Sequence, residues 1–425
     1  MSCLRKWGLF VMLFACCAAS GRAQQRVNAL FVGNSYTSAN NLPQMVQQVA
    51  ASMGDQLTWE SNTPGGCTFS QHCTNRSMQM VCSGGWDIVV LQEQSQYPSF
   101  PQWQVEAAVF PYAKRLVDSI YTHNPCCEPM FYMTWGRKNG DADNATEFPV
   151  LATYEGMDSM LCERYTYMAQ QNDASLCPVG RVWRYLRSHH PDIELYQGDG
   201  SHPSVAGSYA AACAFYVMFF HRDPDSIAFS ASLPDSTAQT LRSAVRQVVY
   251  ENLAQWQRPA PEVSLAVTAL DGLTATLSST PHHADSLTWD FGDGTAITTA
   301  ATVTTMVHTY ADSGRFAASV TAARHCMTAT CVADVILAAG TTESIGALPD
   351  LGEATVYPNP SHGRVTVALP AGELPSAVAV YGLDGRLVAR QTAAELVLDH
   401  VPCGEYLLQI ECPAGTVTRK IIVCP

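Results

Sequence analysis

The chain has 425 residues, of which 47 % are hydrophobic and 14 % charged, and its formal net charge is −13. That length allows two or more domains with at least one sizeable core, and that composition excludes a disordered polyelectrolyte. The acidic excess excludes a broad basic groove, so no nucleic-acid partner is expected.

The first stretch, "MSCLRKWGLFVMLFACCAASGRAQQ", opens with Arg5 and Lys6, continues as an apolar run and ends in "GRA". It reads as a signal peptide over residues 1–23, cleaved near Ala23. The run is short for a membrane span, and no other stretch is long and apolar enough, so the mature chain is expected to have no transmembrane span. Lipid attachment at Cys16, in "LFAC", is the alternative. Of the 16 cysteines, Cys3, Cys16 and Cys17 leave with the signal and thirteen remain, an odd number. In an oxidising compartment the short-range pairs to expect are Cys67 with Cys73 or Cys82, Cys162 with Cys177, Cys326 with Cys331, and Cys403 with Cys412.

Residues 24–258 alternate between strand and helix patterns. "VNALFVG", "QLTWES", "WDIVVLQ" and "PMFYMTW" read as strands, the third almost continuously apolar like a central parallel strand. "NLPQMVQQVAASM" reads as an amphipathic helix capped by Asn41. "WQVEAAVFPYAKRLVDSIY" reads as a helix with a proline inside it. "VLATYEGMDSMLCERYTYMAQQ" and "GRVWRYLRSH" are further helices. "SVAGSYAAACAFYVMFF" is apolar on all sides and should be buried. The order gives a three-layer α/β domain. After the linker "PAPEV", residues 261–338 become short Val/Thr/Ala-rich strands, a small β-sandwich. Residues 340–425 form a second β-rich unit punctuated by "YPNP", "GLDG" and "PAG".

Chemistry in such a sheet sits at the carboxyl ends of the strands. "GNSYT" places Ser35 there, directly after the first strand. Far along the chain, "QGDGSHPSVAG" places Asp199 and His202 three residues apart in a turn. Asp199 can fix the imidazole tautomer, His202 can take the Ser35 proton, and Ser35 can attack a carbonyl carbon. Read singly, each has a plainer role: helix cap, turn former, surface histidine. An oxyanion needs donors. The candidates are the Ser35 N–H, the Gly66 N–H in "NTPGGC", and the Gln92 side-chain amide after the third strand. Asn34 reads as a residue that holds the nucleophile loop. Among the aromatics Tyr36, Tyr97, Phe100 and Trp135, strand-end positions single out Tyr36 and Trp135 as a substrate-binding wall. His189 and His190 are adjacent and point apart, and there is no HExxH, phosphate loop or dinucleotide fingerprint, so no cofactor or metal is expected.

The segments "GNSYT", "GG" and "DGSHPSVAG" together resemble the SGNH-type hydrolases, the serine esterases and lipases that include the GDSL lipases. The resemblance implies a flavodoxin-like three-layer domain that hydrolyses acyl esters, often acetyl groups on carbohydrate. It implies Ser35 as nucleophile, Asp199 and His202 as its partners, and Gly66 as an oxyanion donor. Where that family carries asparagine in "GxND", this chain reads "LQEQS", with Gln92 as the stand-in. "LTWDFGDGT" and "VHTYADSGRFAASVTA" resemble a PKD domain, an immunoglobulin-like sandwich in which the tryptophan fills the core and Gly292 and Gly294 make a turn. "VYPNPSHGRVTVALP", "AVAVYGLDGRLV" and "GEYLLQIECPAGTVTRKIIV" resemble the C-terminal sorting domain of the type IX secretion system. That implies a Bacteroidetes-type bacterium, the secretion machinery as partner, and release or attachment at the outer cell surface. The functional expectation is a secreted serine esterase acting on an acylated carbohydrate or other small ester. The alternative is an inactive surface protein that binds glycan or protein.

Overall fold

The computed structural model describes residues 23–338 and, with short gaps, 354–424. Residues 1–22, and with them the signal segment and Cys16, lie outside the described residues.

The N-terminal region is built on five parallel strands. They are β1 (Arg26–Val32), β2 (Gln56–Asn62), β3 (Ile88–Leu91), β4 (Glu128–Tyr132) and β5 (Ser175–Cys177), in the order β2-β1-β3-β4-β5. The helices of this region are α1 (Ser35–Ser38), α2 (Leu42–Ser52), α3 (Phe69–His72), α4 (Arg76–Ser83), α5 (Gln102–Ala108), α6 (Phe110–His123), α7 (Tyr154–Gln171), α8 (Val179–His189), α9 (Val205–Phe220) and α10 (Asp235–Val248). The mutual packing of α2, α8, α9 and α10 forms one outer layer, and that of α3, α4, α6 and α7 the other. β1 and β3 are buried end to end over their last four residues, as central strands covered on both faces must be. Every residue of α9 from Ala206 to Phe220 is buried, which explains why its sequence has no polar face.

Three expectations need correction. The helix expected across "WQVEAAVFPYAKRLVDSIY" is two helices. Pro111 cannot donate and clashes with the preceding turn, and the chain breaks at Val109 (φ −122°, ψ −61°). Asn41 does occupy the N-cap position of α2, but in a left-handed conformation with no side-chain cap, its amide bonding Gln44 instead. The short-range cysteine pairs do not form. Cys67, Cys73, Cys82, Cys162, Cys177, Cys331 and Cys403 are unpaired, and Cys326 is bonded to Cys126, 200 positions away.

That disulfide joins the α/β region to the sandwich that follows. The sandwich packs a three-stranded sheet, β10-β7-β6, on a four-stranded one, β12-β11-β8-β9. Its strands are β6 (Glu262–Asp271), β7 (Thr274–His282), β8 (Ser286–Asp290), β9 (Ala296–Ala300), β10 (Thr305–Thr309), β11 (Gly314–Arg324) and β12 (Met327–Leu337). Trp289 is fully buried in its core among Leu277, Val320 and Val335. Gly292 (φ +76°) turns so close to β11 that a Cβ would lie 2.7 Å from Ala317 O. Near the disulfide, His325 stacks on Tyr121 at 3.6 Å and Arg324 pairs with Asp173 at 2.8 Å. These contacts lie at the amino end of the parallel strands.

The C-terminal unit contains a three-stranded sheet, β13 (Thr355–Tyr357), β14 (Arg364–Ala368) and β17 (Glu395–Val397). A four-stranded sheet comprises β15 (Ala377–Gly382), β16 (Leu387–Gln391), β18 (Gly404–Cys412) and β19 (Gly415–Val423). Its core holds Val365, Val380, Leu396, Leu408, Ile410 and Ile421.

Candidate active site

β1 has β2 on one side and β3 on the other, so the crevice for chemistry opens at the carboxyl ends of β1 and β3. Gly33 leaves β1 in a space no side chain could share, since a Cβ there would lie 2.5 Å from Thr37 Oγ1 and 2.7 Å from Gln92 Oε1. Asn34 then caps α1, its Oδ1 accepting from Tyr36 N at 3.1 Å while its Nδ2 donates to Cys67 O at 3.1 Å. Ser35 is the first residue of that one-turn helix, and its N–H has no intramolecular acceptor among the described residues.

The second half of the site comes from the turn before α9. Asp199 Oδ1 accepts from Ser201 N and His202 N, both at 3.0 Å, which locks the turn. Its Oδ2 lies 2.5 Å from His202 Nδ1, and His202 Nε2 lies 2.9 Å from Ser35 Oγ. Burial pushes the Asp199 carboxyl upward, but the bonds from His202 and from the two turn N–H groups outweigh it and hold the carboxyl below its usual range. An ionised carboxylate only accepts, so Nδ1 carries the imidazole proton and Nε2 offers its lone pair to the Ser35 hydroxyl.

Asn40 clamps the two halves together. It sits at φ +51°, and its Nδ2 donates to Pro203 O, Ser204 O and Ser208 Oγ at 2.8–3.0 Å. Nothing in the sequence reading singled it out, although asparagine is one of the few residues that tolerate this backbone region.

Two expected roles change. Gln92 is fully buried beneath the nucleophile loop. Its Oε1 accepts from Asn34 N and Thr37 Oγ1, both at 2.9 Å, and its Nε2 donates to Glu93 O. It therefore holds the loop and does not present its amide to an oxyanion. Trp135 is 0 % exposed and Tyr36 2 %, so neither can be a wall for substrate. Trp135 stacks between Trp183 (3.7 Å) and Tyr36 (5.0 Å), and Tyr36 meets the His202 ring edge-on at 5.3 Å. Tyr36 Oη lies 2.6 Å from Ser201 Oγ and Trp135 Nε1 donates to Ser201 O at 3.1 Å. The pair backs the histidine. Tyr97 and Phe100 pack on each other, and Phe100 on Phe148. Gly66 lies exposed in the turn closed by Cys67 N to Pro64 O, at φ +65°, and its N–H has no partner among the described residues.

These observations meet two family models. Residues 257–337 match the PKD domain, and residues 355–424 match the secretion system C-terminal sorting domain. The chain is therefore an exported protein with an α/β domain, a PKD domain and a sorting domain that implies type IX handling. No helix among the described residues is long and apolar enough to cross a membrane. No curated protein matches the chain. Similar solved structures include a DUF4886 family protein from Bacteroides uniformis (15 % identity, 54 % of this chain and 95 % of that one, TM-score 0.46). They also include a candidate SGNH hydrolase from Slackia heliotrinireducens (25 %, 45 % and 97 %, TM-score 0.38). The PKD domain is similar to the PKD1 domain of Vibrio anguillarum Epp (21 %, 19 % and 96 %, TM-score 0.17).

The floor of the α/β site carries a titratable group the sequence reading did not use. Glu93 is fully buried, and burial pushes its carboxyl up to about 8 against the pull of bonds from Gln94 N and Phe69 N. An unfolded glutamate titrates near pH ~4.3. Between those values the folded chain holds a proton that the unfolded chain has lost, so stability falls as pH rises through this window, by up to about 1.4 kcal/mol per pH unit. Urea denaturation at pH 5 and pH 8 should show this slope, and Glu93→Gln should flatten it.

Proposed function

We propose that the protein is an exported serine ester hydrolase that removes short acyl groups, acetyl foremost, from a carbohydrate. The observation that carries this reading is the continuous relay from Ser35 Oγ to His202 Nε2 (2.9 Å) and from His202 Nδ1 to Asp199 (2.5 Å). In the first half-reaction His202 takes the hydroxyl proton as Ser35 Oγ bonds to the ester carbonyl carbon. The oxyanion is met by the free N–H groups of Ser35 and Gly66. His202 returns the proton to the leaving alcohol as the ester C–O bond breaks, leaving an acyl-Ser35 ester. In the second half-reaction His202 takes a proton from a water whose oxygen bonds to the acyl carbon, and the imidazolium then gives that proton to Ser35 Oγ as the acyl C–Oγ bond breaks, which releases the acid and restores the serine. Asp199 stays ionised and stabilises the imidazolium in both halves.

The exposure of the site suits a large alcohol. The His202 and Asp199 side chains are 34 % and 47 % exposed, so the catalytic turn lies open to a polymer. A cavity of about 640 Å³ lies elsewhere, between the α7–β5 corner and the PKD domain near Trp256, His283 and Arg324, and none of Ser35, Asp199 and His202 borders it. It is not the place of the chemistry.

The test is acetate release from p-nitrophenyl acetate and from a panel of acetylated oligosaccharides by the mature chain. Release from at least one glycan is expected. No release from any ester would leave the fold as a surface binding module.

A further inference from the structure

The turn that carries the Gly66 N–H is held from below, not at its tip. Pro64, Gly65 and Gly66 are exposed, and the turn is closed by Cys67 N donating to Pro64 O at 3.1 Å. Exposed loop tips move unless their bases are anchored. The anchors here are Cys67, Phe69 and His72, all buried. Cys67 O accepts from Asn34 Nδ2 at 3.1 Å, which ties the residue after Gly66 to the residue before Ser35. His72 Nε2 donates to Gly33 O at 2.9 Å, with its Nδ1 2.7 Å from Ser77 Oγ. Phe69 N donates to the Glu93 carboxyl and lies 3.0 Å from each of its oxygens.

The loops after β1, β2 and β3 meet at Glu93. Its Oε1 also accepts from Gln94 N at 2.6 Å, in the loop after β3. Its backbone carbonyl accepts from Asn34 Nδ2 at 3.4 Å, in the loop after β1, and from Gln92 Nε2. Its N–H donates to Tyr165 Oη on α7 at 3.2 Å. A fully buried carboxyl is costly, yet an apolar side chain here would leave Phe69 N and Gln94 N without their acceptor. Burial keeps this carboxyl largely protonated at pH 7, so glutamine is its close isostere.

The structure assigns to Glu93 the role of positioning residue for the oxyanion hole: its carboxyl holds the base of the turn so that the Gly66 N–H stays beside the Ser35 N–H. This rests on the ester-hydrolase reading and adds the residue that keeps its second oxyanion donor in place. Glu93 itself touches no substrate. A carboxyl that only satisfied two buried N–H groups would affect stability and leave kcat per folded molecule unchanged.

The experiment compares the mature wild type with Glu93→Met, which fills the space without the acceptor, and Glu93→Gln, which keeps one oxygen. kcat and KM for p-nitrophenyl acetate are measured per folded molecule, and hydrogen–deuterium exchange of peptides covering 63–72 is followed without substrate. Glu93→Met should lower kcat about 10–100-fold with KM within about twofold, short of the loss on deleting a donor outright. Glu93→Gln should restore kcat to within about threefold of wild type, because the acceptor for Phe69 N returns. Exchange over 63–72 should be about tenfold faster in Glu93→Met, with α10 peptides at wild-type rates. Glu93→Asp, one methylene short of Phe69 N, replaces Glu93→Met if that variant does not fold, with the same expected fall. Wild-type kcat in Glu93→Met, no recovery in Glu93→Gln, or faster exchange spread over the whole domain overturns the assignment. If wild type hydrolyses no ester, the hydrolase reading fails, and exchange alone decides what Glu93 does. Faster exchange confined to 63–72 then shows that Glu93 holds the turn, and unchanged exchange removes that role as well.

Discussion

Ser35→Ala should lower kcat/KM for any acetyl ester that the protein hydrolyses by about 10⁴-fold or more, with little change in melting temperature. The size follows from the covalent route: without the hydroxyl there is no acyl-enzyme, and only the oxyanion donors and substrate positioning remain. The small stability effect follows from the surroundings. Among the described residues the Ser35 side chain makes a single hydrogen bond, to His202 Nε2, at a site open to water. His202→Ala should cost a similar factor, and the double variant should cost no more than either single change. That non-additivity marks residues that act as one unit. Additive losses in the double variant would mean that the two side chains act separately, and stopped-flow kinetics with p-nitrophenyl acetate would show it.

Gly207→Ala should damage both folding and catalysis although Gly207 touches neither Ser35 nor His202. It lies in the first turn of α9, where a Cβ would stand 2.4 Å from Leu195 O and 2.5 Å from Trp183 Cζ2. The carbonyl belongs to the backbone and cannot swing away. Trp183 is fully buried and stacked on Trp135, which is stacked on Tyr36, which borders His202. Interiors packed this densely pass on a displacement and do not absorb it. The expected cost is about 1–3 kcal/mol in stability, together with a fall in kcat as His202 shifts relative to Ser35. Chemical denaturation and steady-state kinetics on the same preparation would check both. A variant as stable and as active as wild type would show that α9 can move aside.

The parts of this molecule that were legible in its sequence are those whose signal is local. β1 and β3 are legible because a strand covered on both faces must be apolar throughout, and α9 because a buried helix has no polar side. Ser35 and the Asp199–His202 turn each stood out by residue type at a strand end or in a glycine-rich turn, and the structure brings those two segments within one hydrogen bond. Where the signal is not local, the reading went astray. β5 has only three residues, too few for any period to emerge. α10 buries Ala238, Leu241, Ala244 and Val245, a face half made of alanine. Gln92 carries both a donor and an acceptor, and only the fold reveals that its oxygen is already shared by Asn34 and Thr37. Tyr36 and Trp135 sit at strand ends, where aromatics face either a ligand or one another, and here they stack. The Cys126–Cys326 bond links two domains, so proximity along the chain gave no hint of it.

The most direct measurement is covalent labelling by a fluorophosphonate followed by peptide mass spectrometry of the mature protein. One adduct per chain, on the peptide holding Ser35, absent in Ser35→Ala and strongly slowed in His202→Ala, is the predicted result. An unlabelled Ser35 in a protein that still releases acetate, or labelling that proceeds at the same rate without His202, would contradict the account.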